Sequence, residues 1–237
     1  MSVPRSESDV GFHVLVARAL DDDDNPLWPE RFPREVLLQY RKEAGALIFA
    51  LQYQNDASAA GGGLVRSEHL RFWDDLPRDA TAFIGVDPAP GTSPNGDFFA
   101  VAVVTQNAGG LFVKEVFQAR LDITAQVETV ARMTHEHRAA CVAVEAVAYQ
   151  SVLVDLLRKA GLPARPVHPR RAKEWRFARL AALAETGALL LGRSQKQLLE
   201  QLLLWPDCEH DDLLDALWLA IEATRRGRAS FLSLPGV

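Results

Sequence analysis

Three acidic stretches of this chain could do chemistry together. Asp87 follows the apolar run FIGV, Glu145 closes the apolar run CVAV, and the segment EHDDLLDALWLAIE carries Asp211, Asp212 and Asp215. Acids at the carboxyl ends of neighbouring buried strands share the crevice where open α/β sheets place their ligands. Spacings of three and four put Asp215 on the same side of a helix as Asp211 and Asp212, leaving Leu213, Leu214, Leu217 and Trp218 to pack on a sheet. Each acid also has an ordinary reading: Asp87 before Pro88 as a turn residue, Glu145 as a strand-end surface charge, the late acids as complements of a helix dipole. The coincidence of all three favours the other reading. Carboxylates crowded together repel unless a cation lies between them, and oxygen-only ligation suits Mg²⁺ or Mn²⁺ rather than zinc.

Other hints of chemistry are weaker. Asp21 to Asp24 are consecutive, so an extended chain points them to alternate faces, and a solvated acidic loop is expected. The histidines of HEH, residues 135–137, sit at i and i+2 of a helix and diverge. Cys208 and His210 give two soft ligands, too few for structural zinc. Gly61 to Gly63 lack the lysine and hydroxyl of a phosphate loop and read as a flexible connector. Positive charge collects in residues 158–179, with Arg158, Lys159, Arg165, Arg170, Arg171, Lys173, Arg176 and Arg179, and again at Arg225, Arg226 and Arg228. Such faces are either merely solvated or form a phosphate track.

The elements that position these residues follow from the pattern. The chain has 237 residues, 48% hydrophobic and 24% charged, with a net charge of −5. That is ordinary globular composition. Two cysteines outside any CxxC pair point to a reducing cytoplasm, and the start lacks the features of a secretory signal. No apolar run approaches the ~18 residues of a membrane span. Residues 1–79 read as an N-terminal arm or linker, with a helix from about Arg34 to Gln54. From Thr81 the sequence reads as strands TAFIGVD, FFAVAVVTQ and GLFVKEVFQAR, the last two joined by NAGG as an antiparallel hairpin. A helix over 123–138 buries Ile123, Val127, Val130 and Thr134. Then come strand CVAVE, a helix ending at Gly161, strand LPARPVH, and helices near 171–186, 195–204 and 211–226. Ser194 and Gln197 are spaced as a capping box. The expectation is an α/β domain over 80–228: a mixed central sheet of about five main strands, the first three antiparallel, flanked by helices, with 229–237 as a tail.

Asp at the end of the first strand, Glu at the end of the fourth and HDDLLDAL opening a late helix resemble the RNase H-like nuclease superfamily. NPLWPERFP, ALQYQNDASAAGGGLVRSEHLRFW, GVDPAPG, VEAVAYQSVLVDLL and LLLWPDCEHDDLLDALWLA, in that order, narrow the resemblance to the C-terminal nuclease of tailed-phage (or prophage) terminase large subunits. The resemblance implies an endonuclease that cuts concatemeric double-stranded DNA by two-metal phosphodiester hydrolysis with Mg²⁺ or Mn²⁺. It makes Asp87 the bridging ligand, with Glu145 and one or both of Asp211 and Asp212 completing the set. Asp97 is either an auxiliary ligand or a turn residue in NGD, and Asp215 either a direct ligand or a support. His210 either assists a proton transfer or is a polar helix-start residue. Arg170, Arg171, Lys173 and Arg176 become the DNA track, Lys173 foremost.

The partners implied are DNA, the terminase motor, the small subunit and the portal, in the cytoplasm of a bacterial host and without a membrane. No GxxxxGK[ST] motif occurs. Motor activity is therefore not expected of this chain, and the resemblance then implies an isolated domain, a shortened prophage gene or a separately encoded motor. Two other readings stand beside it: a stand-alone RNase H-like nuclease or resolvase, and a non-catalytic packaging-assembly module.

Overall fold

Strand β2, Thr81–Asp87, runs through the middle of the molecule with its five central residues buried. A computed structural model describes residues 16–44, 49–50, 53–56, 65–93, 96–146 and 151–231. The glycine connector at 61–63, residues 232–237 of the tail and parts of the expected first helix lie outside them. So do the side chains of Arg226 and Arg228.

Around β2 a seven-stranded sheet forms in the order β1-β7-β4-β3-β2-β5-β6. Its strands are β1 (Arg71–Phe72), β2, β3 (Phe99–Asn107), β4 (Gly110–Ala119), β5 (Cys141–Glu145), β6 (Ala164–Val167) and β7 (Leu189–Leu191). β2, β3 and β4 form the expected antiparallel meander, and β5 and β6 extend it in parallel on the β2 side. The hairpin turns at Asn107–Gly110, where the Asn107 Oδ1 accepts from the Gly109 amide at 2.8 Å and Gly110 takes φ 138°. Two strands were not expected. β7 is three leucines, too short for a period to register, and it pairs in parallel with both β4 and β1. Residues 65–73, assigned to the arm from sequence, therefore reach the sheet, with Val65 buried in its core.

Helices cover both faces. α2 (Ile123–His137) and α3 (Ser151–Lys159) pack on Ile84, Val86, Val101, Val103, Val142 and Val144. Asp122 caps α2, accepting from the Ala125 amide at 2.9 Å. On the other face lie α4 (Lys173–Glu185), α5 (Lys196–Leu204) and α6 (Asp212–Phe231), against Phe83, Ala100, Ala102, Val104 and Ala143. The expected capping box at Ser194 is absent. Gln195 precedes α5 without capping it, because its amide is engaged elsewhere: Nε2 donates to the Val113 carbonyl at 2.8 Å and Oε1 accepts from the Gly192 amide at 3.0 Å.

In the front third, α1 spans Arg34–Ala44 and lies against α4. Residues 49–50 are helical as well, but the expected helix does not reach Gln54: Tyr53 and Gln54 are no longer helical, and 45–48 and 51–52 lie outside the described residues. Asn55 adopts φ 49°, and the Gln54 amide instead clasps Leu20 through two 2.9 Å bonds, one to its N–H and one to its carbonyl. The acidic run forms a turn: Asp21 Oδ1 accepts from the amides of Asp23 and Asn25, and Asp24 pairs with Arg34 and Arg41. Among the described residues, no helix is long and apolar enough to cross a membrane.

One contact sets the geometry of everything above it. A Cβ on Gly85 would lie 2.0 Å from the Ala216 carbonyl oxygen and 2.3 Å from the Ala220 amide nitrogen. The backbones of β2 and α6 thus meet with no side chain between them. Gly85→Ala forces two backbones apart, and overpacking of this kind costs about 1–3 kcal/mol or more. Thermal denaturation of that variant is expected to show a melting temperature lower by at least about 2 °C for a chain of this size. An unchanged midpoint would show that α6 is anchored elsewhere.

Candidate metal centre

Strand alternation carries the contact at Gly85 into a charged site. Phe83, Gly85 and Asp87 share the face of β2 that α6 covers. Val86 pairs with Val144 on the parallel neighbour β5. Asp87 and Glu145 come next on each strand, side by side on that same face. Along α6, Asp212 lies one turn before Ala216, toward the carboxyl end of β2. The strand ends and the helix start therefore converge, because a glycine lets the helix sit directly on the strand.

The electrostatics record this convergence. Burial pushes the Asp87 carboxyl well above the usual aspartate range, and the neighbouring Asp215, Glu145 and Asp212 push it further. A side-chain hydrogen bond between Asp87 and Glu145 acts in the same direction. Asp212 is 8% exposed and is raised by its burial, with Asp211 and Asp97 adding to the shift and His210 opposing it. Its Oδ2 is buried with no hydrogen-bond partner. His210 Nδ1 stands 3.9 Å from that oxygen, its ring edge-on to Phe98, and Arg120 covers the Phe98 ring at 3.8 Å. Asp97 is exposed at the rim of the cluster.

The other two late acids are already matched with cations. Lys173 Nζ donates to Asp211 at 2.9 and 3.0 Å and meets Asp215 Oδ2 at 2.9 Å. Burial disfavours the Lys173 ammonium, but the bonds to Asp211 and Asp215 more than offset it and hold its pKa above the ordinary lysine value. The Trp205 indole donates to Asp211 Oδ2 at 3.2 Å. Arg176 donates to Asp215 Oδ1, with its guanidinium carbon 5.0 Å from the centre of the Trp218 ring. Asp215 is 4% exposed and Arg176 6%.

The acids singled out in the sequence lie near one another, and two cations expected on a DNA track, Lys173 and Arg176, are engaged by acids. Arg176, expected on a surface track, is a buried partner of Asp215, and Lys173 bridges two acids. Arg158 and Arg165 bond the carbonyls of Ala164 and Glu222. Arg170 and Arg171 remain exposed just ahead of α4, Arg171 stacked over Trp175 at 5.2 Å. Trp205 escaped the sequence reading. Opposite charges at helical spacing in KEWR and DDLLD could have signalled the ion pairs, but no pattern flags an indole facing Asp211.

The donors fit a divalent cation: the Asp212 Oδ2 is orphaned, and the Asp87 and Asp212 carboxyls are both held above the usual aspartate range. Asp87, Glu145 and Asp212 are the residues that would hold it. They are not closed into a tight triad. Among the described residues, the one group whose candidate ligand atoms all lie within 4.8 Å of one another is Glu115, Glu136 and His137, elsewhere in the fold.

Known proteins share this fold. The large terminase nuclease from thermophilic phage G20c with bound magnesium aligns with 68% of this chain and 97% of its own, at 16% identity and a TM-score of 0.55. The same nuclease with bound cobalt gives 17% identity and a TM-score of 0.57 over 68% and 97%. The large terminase of a second thermophilic bacteriophage aligns with 80% of this chain but 52% of its own, so the chain spans about half of that protein, at 11% identity and a TM-score of 0.60. No curated protein sequence matches. The model of the Terminase RNaseH-like domain matches residues 84–224, more than half of the sequence. This chain belongs to the Terminase RNaseH-like domain family.

Proposed function

We propose that this domain is the metal-dependent DNA endonuclease of a phage DNA-packaging terminase, cutting concatemeric double-stranded DNA by phosphodiester hydrolysis. The observation that supports it most is the buried, unpartnered Oδ2 of Asp212 beside an Asp87 that resists ionisation. Asp87, Glu145 and Asp212 hold Mg²⁺ or Mn²⁺ in this reading, with Asp97 as the added acid at the rim. When bound, such ions would lower the pKa of a water and stabilise charge on phosphodiester oxygens. Lys173 and Arg176 neutralise Asp211 and Asp215, so that the start of α6 stays beside β2. Arg170 and Arg171 meet backbone phosphates. The packaging assembly that this reading calls for adds the motor, the small subunit and the portal in the cytoplasm of a bacterial host.

The first expectation concerns stability and pH. Asp87 binds its proton more tightly when folded than when unfolded. Its contribution is therefore fully present below about pH 4 and is lost as pH rises toward the raised value. Asp87→Asn removes that loss. At pH 7 and without divalent ions it is expected to raise the melting temperature by at least about 2 °C, the gain fading below about pH 4. Millimolar Mn²⁺ is expected to stabilise the natural chain and not the variant. A lower melting temperature for Asp87→Asn at pH 7 would contradict the repulsion argument.

The second expectation concerns cleavage of supercoiled plasmid with Mn²⁺ or Mg²⁺. Asp87→Asn, Glu145→Gln and Asp212→Asn are each expected to lose at least ~10²-fold in rate. Asp211→Asn is expected to lose less than Asp212→Asn, because Lys173 and Trp205 already hold Asp211. If Asp87→Asn still nicks plasmid near the natural rate, the nuclease assignment ends and an assembly role gains ground.

The third concerns the phosphate contacts. Arg170→Ala with Arg171→Ala is expected to weaken DNA binding evenly across sequences. It should also flatten the log–log salt slope by about 1.8, the loss of two phosphate contacts. An unchanged slope would move the track elsewhere.

A further inference from the structure

The HEH triplet takes no part in the carboxylate cluster, yet its last residues meet a third ligand-type side chain. His137 Nε2 lies 2.7 Å from Glu115 Oε2. With Glu136 they are the group of three whose candidate ligand atoms all fall within 4.8 Å of one another. An irregularity in β4 creates this meeting. Val113 pairs with Val104 and Glu115 with Val103, so the ladder slips by a residue at Lys114. Strict alternation from Val113 would turn Glu115 to the α6 face. The inserted residue turns it instead to the face of Val103 and Phe117, where α2 packs.

The chemistry of this group differs from that of the first. The His137 side chain is 9% exposed, and while one ring nitrogen meets Glu115, the other, Nδ1, is buried with no partner. Glu136 is half exposed, and Arg132 meets its Oε2 at 2.6 Å. An imidazole with two carboxylates is a three-residue donor set that leaves a fourth position open, as zinc sites do. The nitrogen donor selects zinc and similar transition ions over magnesium.

We infer that Glu115, Glu136 and His137 form a second metal site, for zinc or a zinc-like divalent ion, that ties β4 to the carboxyl end of α2. The site is separate from the first. Asp87 pairs with Ala100 on the α6 face, whereas Glu115 pairs with Val103 on the α2 face. Three residues of strand, about 10 Å, part the two positions along β3. Nothing in the inference depends on nuclease activity.

The test uses the full chain carrying Asp87→Asn and Asp212→Asn, which removes acids of the first site. This protein is expected to bind one Zn²⁺ per chain by calorimetry, to give a visible absorption spectrum with Co²⁺, and to melt at a higher temperature with either ion. Adding Glu136→Gln, a change at a half-exposed side chain that the metal-free fold tolerates, is expected to weaken Zn²⁺ at least about tenfold and remove the thermal shift. His137→Asn is expected to abolish binding; if it fails to fold, Glu136→Gln decides. A flat Zn²⁺ titration of the double variant would overturn the inference and leave His137 and Glu115 as a hydrogen-bonded pair. Unchanged affinity in Glu136→Gln would overturn it equally.

Discussion

The carboxylates of Asp87, Glu145, Asp212 and Asp215 repel one another, and the backbone contact at Gly85 holds them together regardless. A side chain at that position would set α6 back from β2 by the thickness of a methyl group, and Asp212 would move with it. Strand pairing fixes Asp87 beside Glu145, and the buried run from Leu213 to Ala220 fixes the helix. The hydrophobic term dominates here: fully burying a leucine is worth about 1.5–3 kcal/mol, and four leucines of this helix are completely buried. That is enough to hold a handful of partly screened charges against their mutual repulsion. The site is therefore a place where folding energy is stored as electrostatic strain, which a bound cation would relieve.

The cations of the chain relieve only part of it, and they do so selectively. Arg176 and Lys173 come from the first turn of α4 and pair with Asp215 and Asp211, leaving Asp87, Glu145 and Asp212 without such partners among the cations of that turn. Arg176 and Asp215 are both almost fully buried, so neither can lose the other cheaply: breaking a buried pair costs about 3–5 kcal/mol. Asp215 still contributes to the field at Asp87. It acts on that field from behind a guanidinium, while Asp212 keeps one buried oxygen without a hydrogen-bond partner. Two adjacent aspartates that look interchangeable in sequence are separated by what surrounds them: Trp205 and Lys173 around Asp211, no hydrogen-bond partner at the buried oxygen of Asp212.

Much of this was legible in the sequence, and for a definite reason. Apolar runs ending in an acid, a turn at NAGG and a helix opening on DDLLD are local signals, and local signals specified the meander, α2, α6 and the neighbourhood of Asp87, Glu145 and Asp212. What escaped was set by distant partners. Leu189–Leu191 is a strand only because β4 and β1 flank it. The expected capping box of Ser194 with Gln197 does not form, and the Gln195 that precedes α5 engages its amide with Val113 and Gly192. Arg176 looked like a surface cation in a basic stretch. It is buried because its helix turns that face toward Trp218 and Asp215. Glu115 sits on the α2 face through a one-residue slip in β4, and such a slip reverses every inference drawn from alternation.

The two faces of the sheet also separate two kinds of ligand chemistry. On the α6 face the donors that converge are carboxylates, with Lys173 and Arg176 close behind them, and such hard oxygen donors suit ions that keep much of their own water. On the α2 face an imidazole joins two carboxylates at the end of a helix, a set suited to an ion that binds nitrogen well. A sheet is thin, with helices packing about 10 Å from it, so two cation sites on the same face would feel each other strongly. Placing them on opposite faces and apart along β3 weakens that interaction. In the proposed reading, an ion there would tie β4 to α2 without occupying the strand tips, where Asp87 and Glu145 would meet the substrate.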